Sequence, residues 1–540
     1  MITGADAMVR CLEEEGITKI FGYPGVAIAP FYDGLYRSSI EHILVRQEQA
    51  AGHAASGYAR VSRKPAVCCT SSGPGAANLI TALATAYADS IPIIAITGQV
   101  SSELLGKDVF QEADIRGATE SFVKYSYLVK DPDDIPRIFR EAFHIASTGR
   151  KGPVLIDVPI DIQNAELTKE FVYPKTIKIR GYKPDPALNK PQLKRVVEAL
   201  NEAERPLMCV GGGAILADSE KQVRAFCEKF NIPLVSTMMG IGVMPKKHPL
   251  YFGMLGNNGK PYANRAVNHS DLLIVAGARL ADRAVANPRT LEKRVPVIHI
   301  DIDTAEIGKN LGPMIPLVGN IKKVLDQLMK ENIKRTSDDW LNKLQEIKTS
   351  TVDRRVFSDE LVNPNFLVQT LSEKMDDDAI YVADVGQNQL WSADNYVMKN
   401  GRFLTTGGMG TMGYSIPAAI GAKMAMPKKQ VVAVCGDGSF QMSMNEIATA
   451  KVNGIPIKIV IMKNRVLGLV REYQYNTYEK RYSGIDLYSY PHHDKIAEAY
   501  DMDYFHCDSN DELGDVIDRF LSSDKASLLV CDIETENKVK

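Results

Sequence analysis

A chain of 540 residues with 64 Lys plus Arg against 66 Asp plus Glu has a formal net charge of -2, a balance that excludes the basic footprint of a nucleic-acid or acidic-membrane binder. The length exceeds what one hydrophobic core fills and fits about three domains. Its eight Cys are scattered without Cys-x-x-Cys spacing, so they read as reduced core thiols and not as a disulfide or metal framework.

The chain opens on "MITGADAMVRCLEEEG", an amphipathic helix with an acidic end. It lacks the basic start, apolar block and small-residue cleavage site of a secretory signal. With no apolar run near the roughly 18 residues of a membrane span, a cytoplasmic location is expected. Short β-branched runs then alternate with helical patterns: "KIFGYPG", "AVCCTSSGPG", "IPIIAITGQV" and "PVLIDVP"; then "PLMCVGGGA", "LLIVAGAR" and "VPVIHIDID"; then "AIYVADVG", "QVVAVCGDG", "IKIVIMKN" and "SLLVCDIE". Near-continuous apolar strands separated by helices predict an α/β fold with buried parallel sheets, one for each group. Periodicity is lost near Glu166 to Pro186 and Asn332 to Pro364, which sets the expected domains at 1-165, 186-335 and 361-535. The first and third segments are alike in size and class, which is compatible with an old duplication that sequence alone does not settle.

The stretch "VCGDGSFQMSMNEIATAKVNGIPIKIVIMKNRVLGLV" carries the first chemical signal. Gly436-Asp437-Gly438 ends one apolar run, and Asn464 ends the next. At the carboxyl ends of parallel strands, Gly438 and Ser439 can bring N–H groups to a phosphate, while Asp437 and Asn464 offer hard oxygens. One carboxylate, one or two carbonyls, water and phosphate oxygens suit Mg2+. A lone Gly-Asp-Gly can serve the turn alone, but Asn464 at the end of the next strand argues for a metal clamp on a diphosphate.

The spacing resembles the thiamine-diphosphate signature of Gly-Asp-Gly, some 25 residues and Asn-Asn, with Lys463 in place of the first Asn. The resemblance implies Asp437, Asn464 and the Val466 carbonyl as Mg2+ ligands, and Glu48, in "VRQEQAAGHAASGYAR", as the carboxyl group at the pyrimidine N1', supplied to a partner subunit. Further ordered segments, among them "DVFQEADIRG", "GRKGPVLIDVP", "FGMLGNNGKPYANRAV", "GARLADRAV", "HIDIDTAEIGKN", "GGMGTMGYSIPAAIGA" and "LGLVREYQYNTYEKRYS", are similar to the catalytic subunit of the acetohydroxyacid synthase (acetolactate synthase) family. That family implies two thiamine-diphosphate-binding domains flanking a Rossmann-like, FAD-binding-type middle domain. It implies decarboxylation of pyruvate and joining of the hydroxyethyl carbanion to a second 2-ketoacid, in branched-chain amino-acid biosynthesis.

By the same resemblance, Gly410 and Met412 contact the aminopyrimidine, with the Met412 side chain beneath it. Gln387 and Asn388 fall on the family's Gln-His pair at the diphosphate, and Gly438, Ser439 and Leu469 are further cofactor contacts. Gly25 approaches the reacting carbon, with Val26 where a second Gly is usual. Arg283 matches the arginine that grips the second ketoacid. Phe110, Gln111 and Lys124 match pocket residues, and Tyr473 stands where a Trp favours 2-ketobutyrate. Arg150, Gly211, Gly212, Gly213, Thr237, Met254, Arg279 and Asp301 fall on or beside positions that hold FAD, although "GNNG" at Gly256 to Gly259 departs from the family's Gly-Met-His-Gly. The family further implies a homodimer or homotetramer with active sites at the subunit interface, and often a regulatory subunit. The stretch "CDIETENKVK" is short of the usual C-terminal tail that folds over the family's site, a departure that bears on closure of the site. The rivals are a related enzyme (pyruvate oxidase, sulfoacetaldehyde acetyltransferase or 2-ketoacid decarboxylase) and an inactive cofactor-binding scaffold.

Overall fold

The structure, a computed structural model, describes residues 2–285, 287–312, 314–351, 357 and 360–539. It contains three parallel six-stranded sheets. The first holds β1 (Lys19–Tyr23), β2 (Glu41–Leu44), β3 (Ala66–Thr70), β4 (Ile93–Gln99), β5 (Tyr125–Leu128) and β6 (Val154–Pro159). The second holds β7 (Pro206–Val210), β8 (Leu234–Ser236), β9 (Tyr251–Met254), β10 (Leu272–Ala276), β11 (Val297–Asp301) and β12 (Met314–Val318). The third holds β13 (Ile380–Ala383), β14 (Arg402–Leu404), β15 (Val431–Gly436), β16 (Lys458–Lys463), β17 (Asp503–Cys507) and β18 (Ser527–Asp532). The inner strands are apolar on both faces because helices cover both. Every residue of β3, β4, β6, β7 and β10 is buried.

The strand orders carry more than the count. The first sheet runs β2-β1-β3-β4-β6-β5 and the third β14-β13-β15-β16-β18-β17, the same order shifted by twelve strands, as a duplication would leave it. The second runs β12-β11-β10-β7-β8-β9, which is the 3-2-1-4-5-6 order of a dinucleotide-binding sheet. In such sheets a crevice opens where the strand order reverses, beyond the carboxyl ends of the two strands that flank the reversal. Those pairs are β1/β3, β10/β7 and β13/β15.

The first and third domains meet through two helices, Glu48–Ser62 and Ser415–Ala425. A Cβ on Gly57 would lie 2.0 Å from the Ala418 carbonyl oxygen, and one on Gly421 1.9 Å from that of Ala54. Ser56 Oγ and Tyr414 Oη are 3.1 Å apart, and the Arg60 guanidinium lies 5.6 Å from the centre of the Tyr414 ring. Moving towards the N-terminus on one helix means moving towards the C-terminus on the other, so the pair is antiparallel. Glu220 ties the middle domain to both neighbours, accepting from Arg63 at 2.5 Å and Arg402 at 2.7 Å.

Helix Asp338–Ser350, which a boundary at 335 leaves outside, packs on the second sheet, with Trp340 Nε1 donating to the Pro206 carbonyl at 3.0 Å. All eight Cys are buried and unbridged. No helix among the described residues is long and apolar enough to cross a membrane.

Candidate active site

The β13/β15 crevice holds the Asp437 turn. Asp437 begins helix Asp437–Ser443 directly after β15 and is buried. Its carboxylate accepts the Arg465 N–H at 2.7 Å and the Gly438 N–H at 3.0 Å. Burial nevertheless pushes its pKa up to about 6, against the pull of those two bonds and of Lys463. Asn464, one residue past β16, is buried beside it. Asn464 Oδ1 accepts the Val466 N–H at 3.2 Å. Val466 faces Asp486 across an antiparallel bridge whose backbone bonds join Leu467 to Ile485 and Leu487 to Arg465. Val466 is therefore in a non-hydrogen-bonded pair, and its carbonyl points away from that partner.

The glycines of this crevice are steric requirements. A Cβ on Gly438 would lie 2.8 Å from Leu467 Cδ2 and 3.7 Å from Met412 Cε, which places the end of the Met412 side chain over the turn. Gly410 and Gly413 have φ of +67° and +84°, a left-handed conformation that disfavours side chains. Their loop is pinned by Asp384, a wholly buried carboxylate that accepts the N–H groups of Gly413 at 2.9 Å and Ser415 at 2.7 Å. Asn388 Nδ2 donates to the Asp384 and Val434 carbonyls, stitching β13 to β15. Ser439 Oγ is committed to the Gly436 backbone, and the Gln387 amide to Asn464, Glu472 and Asn537.

A carboxylate, an amide oxygen and a backbone carbonyl form a hard-oxygen set of the kind Mg2+ prefers, and a desolvated acid near pH 6 gains from a divalent neighbour. No group of three His, Cys, Asp or Glu side chains among the described residues could hold a metal by itself. The residues present fit Mg2+ with phosphate oxygens completing its shell.

The first-domain residues gather separately, around the turn Ser71–Gly75 beyond β3. Glu48 Oε1 would be 3.5 Å from a Cβ on Gly75, and Asn78 Nδ2 donates to Glu48 Oε2 at 2.9 Å. A Cβ on Gly25 would lie 2.4 Å from Ser71 Oγ, and one on Gly73 2.9 Å from Gln111 Cα. Phe110 projects outward, 87% exposed. The structure thus brings Gly25, Glu48 and Gln111 together but keeps them from Asp437 within one chain. From Glu48 to Arg60, level with Tyr414, is twelve residues, about 18 Å of helix. The antiparallel pairing sets Glu48 beyond the C-terminal end of Ser415–Ala425, whereas Met412 precedes its N-terminal end.

A third place is a cleft of about 920 Å3 beyond β7 and β10. Its lining includes Arg150, Gly211, Gly212, Gly213, Thr237, Met254, Arg279, Asp301 and Arg283 from the first and middle domains, and Gly410, Leu469 and Tyr473 from the third. Arg150 pairs with Glu306 at 2.7 Å and Asp303 at 3.2 Å, and burial pushes Asp301 up to about 6. Lys124 reaches none of these places. Its Nζ points inward to the Thr148 carbonyl at 2.8 Å, the Ile145 carbonyl and the Tyr182 hydroxyl, and burial lowers its pKa to about 8. Sequence reasoning missed Asp384, Asn78 and Glu472. Only Asp384 had a visible signal, as the acid ending the apolar run "AIYVADVG". The segment Thr535–Val539 lies against the Asn464 side of the site, with Thr535 Oγ1 donating to the Asn464 carbonyl at 2.9 Å.

Comparisons with known proteins match the three sheet domains. Family models of the thiamine pyrophosphate enzymes match residues 2–118 (N-terminal TPP binding domain), 193–328 (central domain) and 384–531 (C-terminal TPP binding domain). The chain is 46% identical over 496 residues to the acetolactate synthase large subunit of Corynebacterium glutamicum, covering 90% of this chain and 79% of that one. It is 42% identical over 537 residues to the probable acetolactate synthase large subunit of Methanocaldococcus jannaschii, with coverage of 97% and 91%. It is 40% identical over 530 residues to the acetolactate synthase large subunit of Lactococcus lactis, with coverage of 98% and 92%.

Proposed function

The chain belongs to the acetolactate synthase family of thiamine pyrophosphate enzymes, and from that membership we propose that it decarboxylates pyruvate and condenses the two-carbon remainder with a second 2-ketoacid, pyruvate or 2-ketobutyrate. The observation that carries this reading is the oxygen set of Asp437, Asn464 and Val466 at the β13/β15 crevice, with Arg283 and Tyr473 in the adjoining cleft.

Thiamine diphosphate, when bound, supplies the electron sink that lets a 2-ketoacid lose carbon dioxide and a new carbon–carbon bond form. Asp437, Asn464 and the Val466 carbonyl would hold the Mg2+ at its diphosphate, and the Gly438 turn would leave room for the phosphate oxygens. Gly410 and Met412 would orient the aminopyrimidine, while the Glu48 carboxylate, steadied by Asn78, would hold and return the proton at N1'. Gly25 and Gln111 would line the first-domain side of the site. Arg283 orients the acceptor carboxylate by its two-pronged guanidinium.

Because Glu48 and Met412 lie at opposite ends of one antiparallel helix pair, we take the working site to be built from two copies related by a two-fold axis, each supplying the half the other lacks. The dinucleotide-type strand order and the 920 Å3 cleft support FAD there, with Arg150, the Gly211–Gly213 turn, Thr237, Met254, Arg279 and Asp301 as its contacts. Recruitment of a regulatory subunit is supported by the family resemblance alone.

A product assay tests the reading. Purified protein with Mg2+, thiamine diphosphate and pyruvate is expected to yield acetolactate, and acetohydroxybutyrate when 2-ketobutyrate is added. Acetaldehyde or oxygen-dependent acetate as the main product would replace it by a decarboxylase or oxidase. The visible absorbance of the same preparation reads the flavin directly.

A further inference from the structure

We propose that Glu472 is a positioning residue for the metal site: its carboxylate fixes the orientation of two amides in series, so that Asn464 presents oxygen and not nitrogen to the cation. This rests on the reading of Asp437, Asn464 and Val466 as Mg2+ donors.

Helix Gly468–Thr477 lies largely at the surface, and Glu472 is its one buried residue. A buried carboxylate needs hydrogen-bond donors. Glu472 Oε2 accepts the Gln387 Nε2 at 3.1 Å and the Val539 backbone N–H at 3.0 Å. The Gln387 Nε2 also donates to the Asn537 carbonyl at 3.0 Å. A carboxylate and a carbonyl only accept, so the nitrogen of the Gln387 amide must face them. Its Oε1 is thereby turned to Asn464 and accepts the Asn464 Nδ2 at 3.1 Å. The Asn464 nitrogen is spent there, which leaves Oδ1 on the opposite side, where it meets the Val466 N–H. A flipped Asn464 would aim an amide N–H2 at the cation.

The contact is sterically guarded as well. A Cβ on Gly468 would lie 1.9 Å from Gln387 Oε1 and 2.7 Å from Asn464 Nδ2, so only glycine fits between the helix start and the two amides. The segment Thr535–Val539 is held from the same side, at Asn464 by Thr535 and at Glu472 by Val539. The buried charge therefore serves two purposes: it sets the polarity of the amide chain and keeps the segment in place above it.

The test is the Mg2+ concentration that half-saturates thiamine diphosphate binding to the full chain, measured by titration calorimetry. Glu472→Leu, which removes both acceptors, is expected to raise it about tenfold. Glu472→Gln, which keeps one acceptor oxygen, should raise it about two- to threefold. If Glu472 acts through Gln387, the double variant Gln387→Ala/Glu472→Leu should be no worse than Gln387→Ala alone. Unchanged Mg2+ dependence in the Leu variant, or in the Gln variant should the Leu variant not fold, overturns the proposal even if the melting temperature falls. Additive losses in the double variant overturn it too. Asp437→Ala separates the two readings: if that variant binds Mg2+ and cofactor normally, the metal site itself is misassigned. If it loses both while the Glu472 variants behave as the parent, only the role of Glu472 fails.

Discussion

Gly57 presses its Cα against the carbonyl of Ala418, so closely that a methyl group there would lie 2.0 Å from the oxygen. Neither atom can yield without moving a helix, because both belong to helix backbone inside the joint between the first and third domains. Gly57→Ala is expected to destabilise the protein by about 1–3 kcal/mol through overpacking. The calorimetric unfolding midpoint checks this, with Gly312→Ala, where no atom of the described residues beyond its chain neighbours lies within 4 Å of the added carbon, as the neutral control.

The same joint sets Glu48 at one end of the helix pair and the Met412 loop at the other. Glu48→Gln should lower turnover roughly 10²-fold, the usual weight of a general acid-base group, with cofactor binding retained. Asp437→Ala should lose cofactor. Mixed and reassociated, the two inactive variants are expected to regain activity, since a hybrid pair joins one intact Glu48 to one intact Asp437. Random pairing gives about one quarter of parental activity under two-fold symmetry. No recovery after proven subunit exchange would place both halves of the site within one chain.

Burial pushes Asp437 up to about 6, against about 3.9 for a free Asp. Between these values the native state holds a proton that the unfolded chain has released. The group's contribution to stability is therefore present below about pH 4 and lost as the pH rises through about 6. Cation binding requires the ionised form, so Mg2+ affinity should weaken below pH 6, approaching tenfold per unit. Titrations from pH 5 to 8 read this. Asp437→Asn should bind weakly at every pH and without that slope, and equal affinity at pH 5 and 7 in the parent would refute the assignment.

The inner strands were legible in the sequence because burial on both faces writes an unbroken apolar run, as in "AVCC" of β3 or "LLIVA" of β10. The outer strands were not. β2, β5, β9, β12, β14 and β17 are part-exposed, and β8 has only three residues. Asp437 and Asn464 were legible because each directly follows a readable strand. Glu472 was not, since "REYQYNTYEK" reads as a polar surface helix and one buried carboxylate leaves no periodic trace. Asn78 and the segment 535–539 act through contacts distant in sequence, and spacing cannot reveal those.

Arg283 and Tyr473 face the same cleft from different domains. Arg283 is 80% exposed, and among the described residues its one ion pair is with its neighbour Asp282 at 3.7 Å, so its guanidinium can take an acceptor carboxylate through two parallel bonds, a charge-assisted contact of about 2 kcal/mol. Arg283→Ala should spare the first decarboxylation more than the joining step, so acetaldehyde rises relative to acetolactate. Tyr473 leaves 58% of its surface open, its ring edge-on to Tyr478 at 5.8 Å. An indole at that position can pack against the extra methylene of 2-ketobutyrate, an effect of about 1 kcal/mol, or roughly fivefold. Tyr473→Trp should therefore raise the ratio of acetohydroxybutyrate to acetolactate by about that factor when the two acceptors compete. A ratio equal to the parent's would mean that position 473 does not touch the acceptor, and that the side of the cleft beside Gly410 belongs to another part of the reaction.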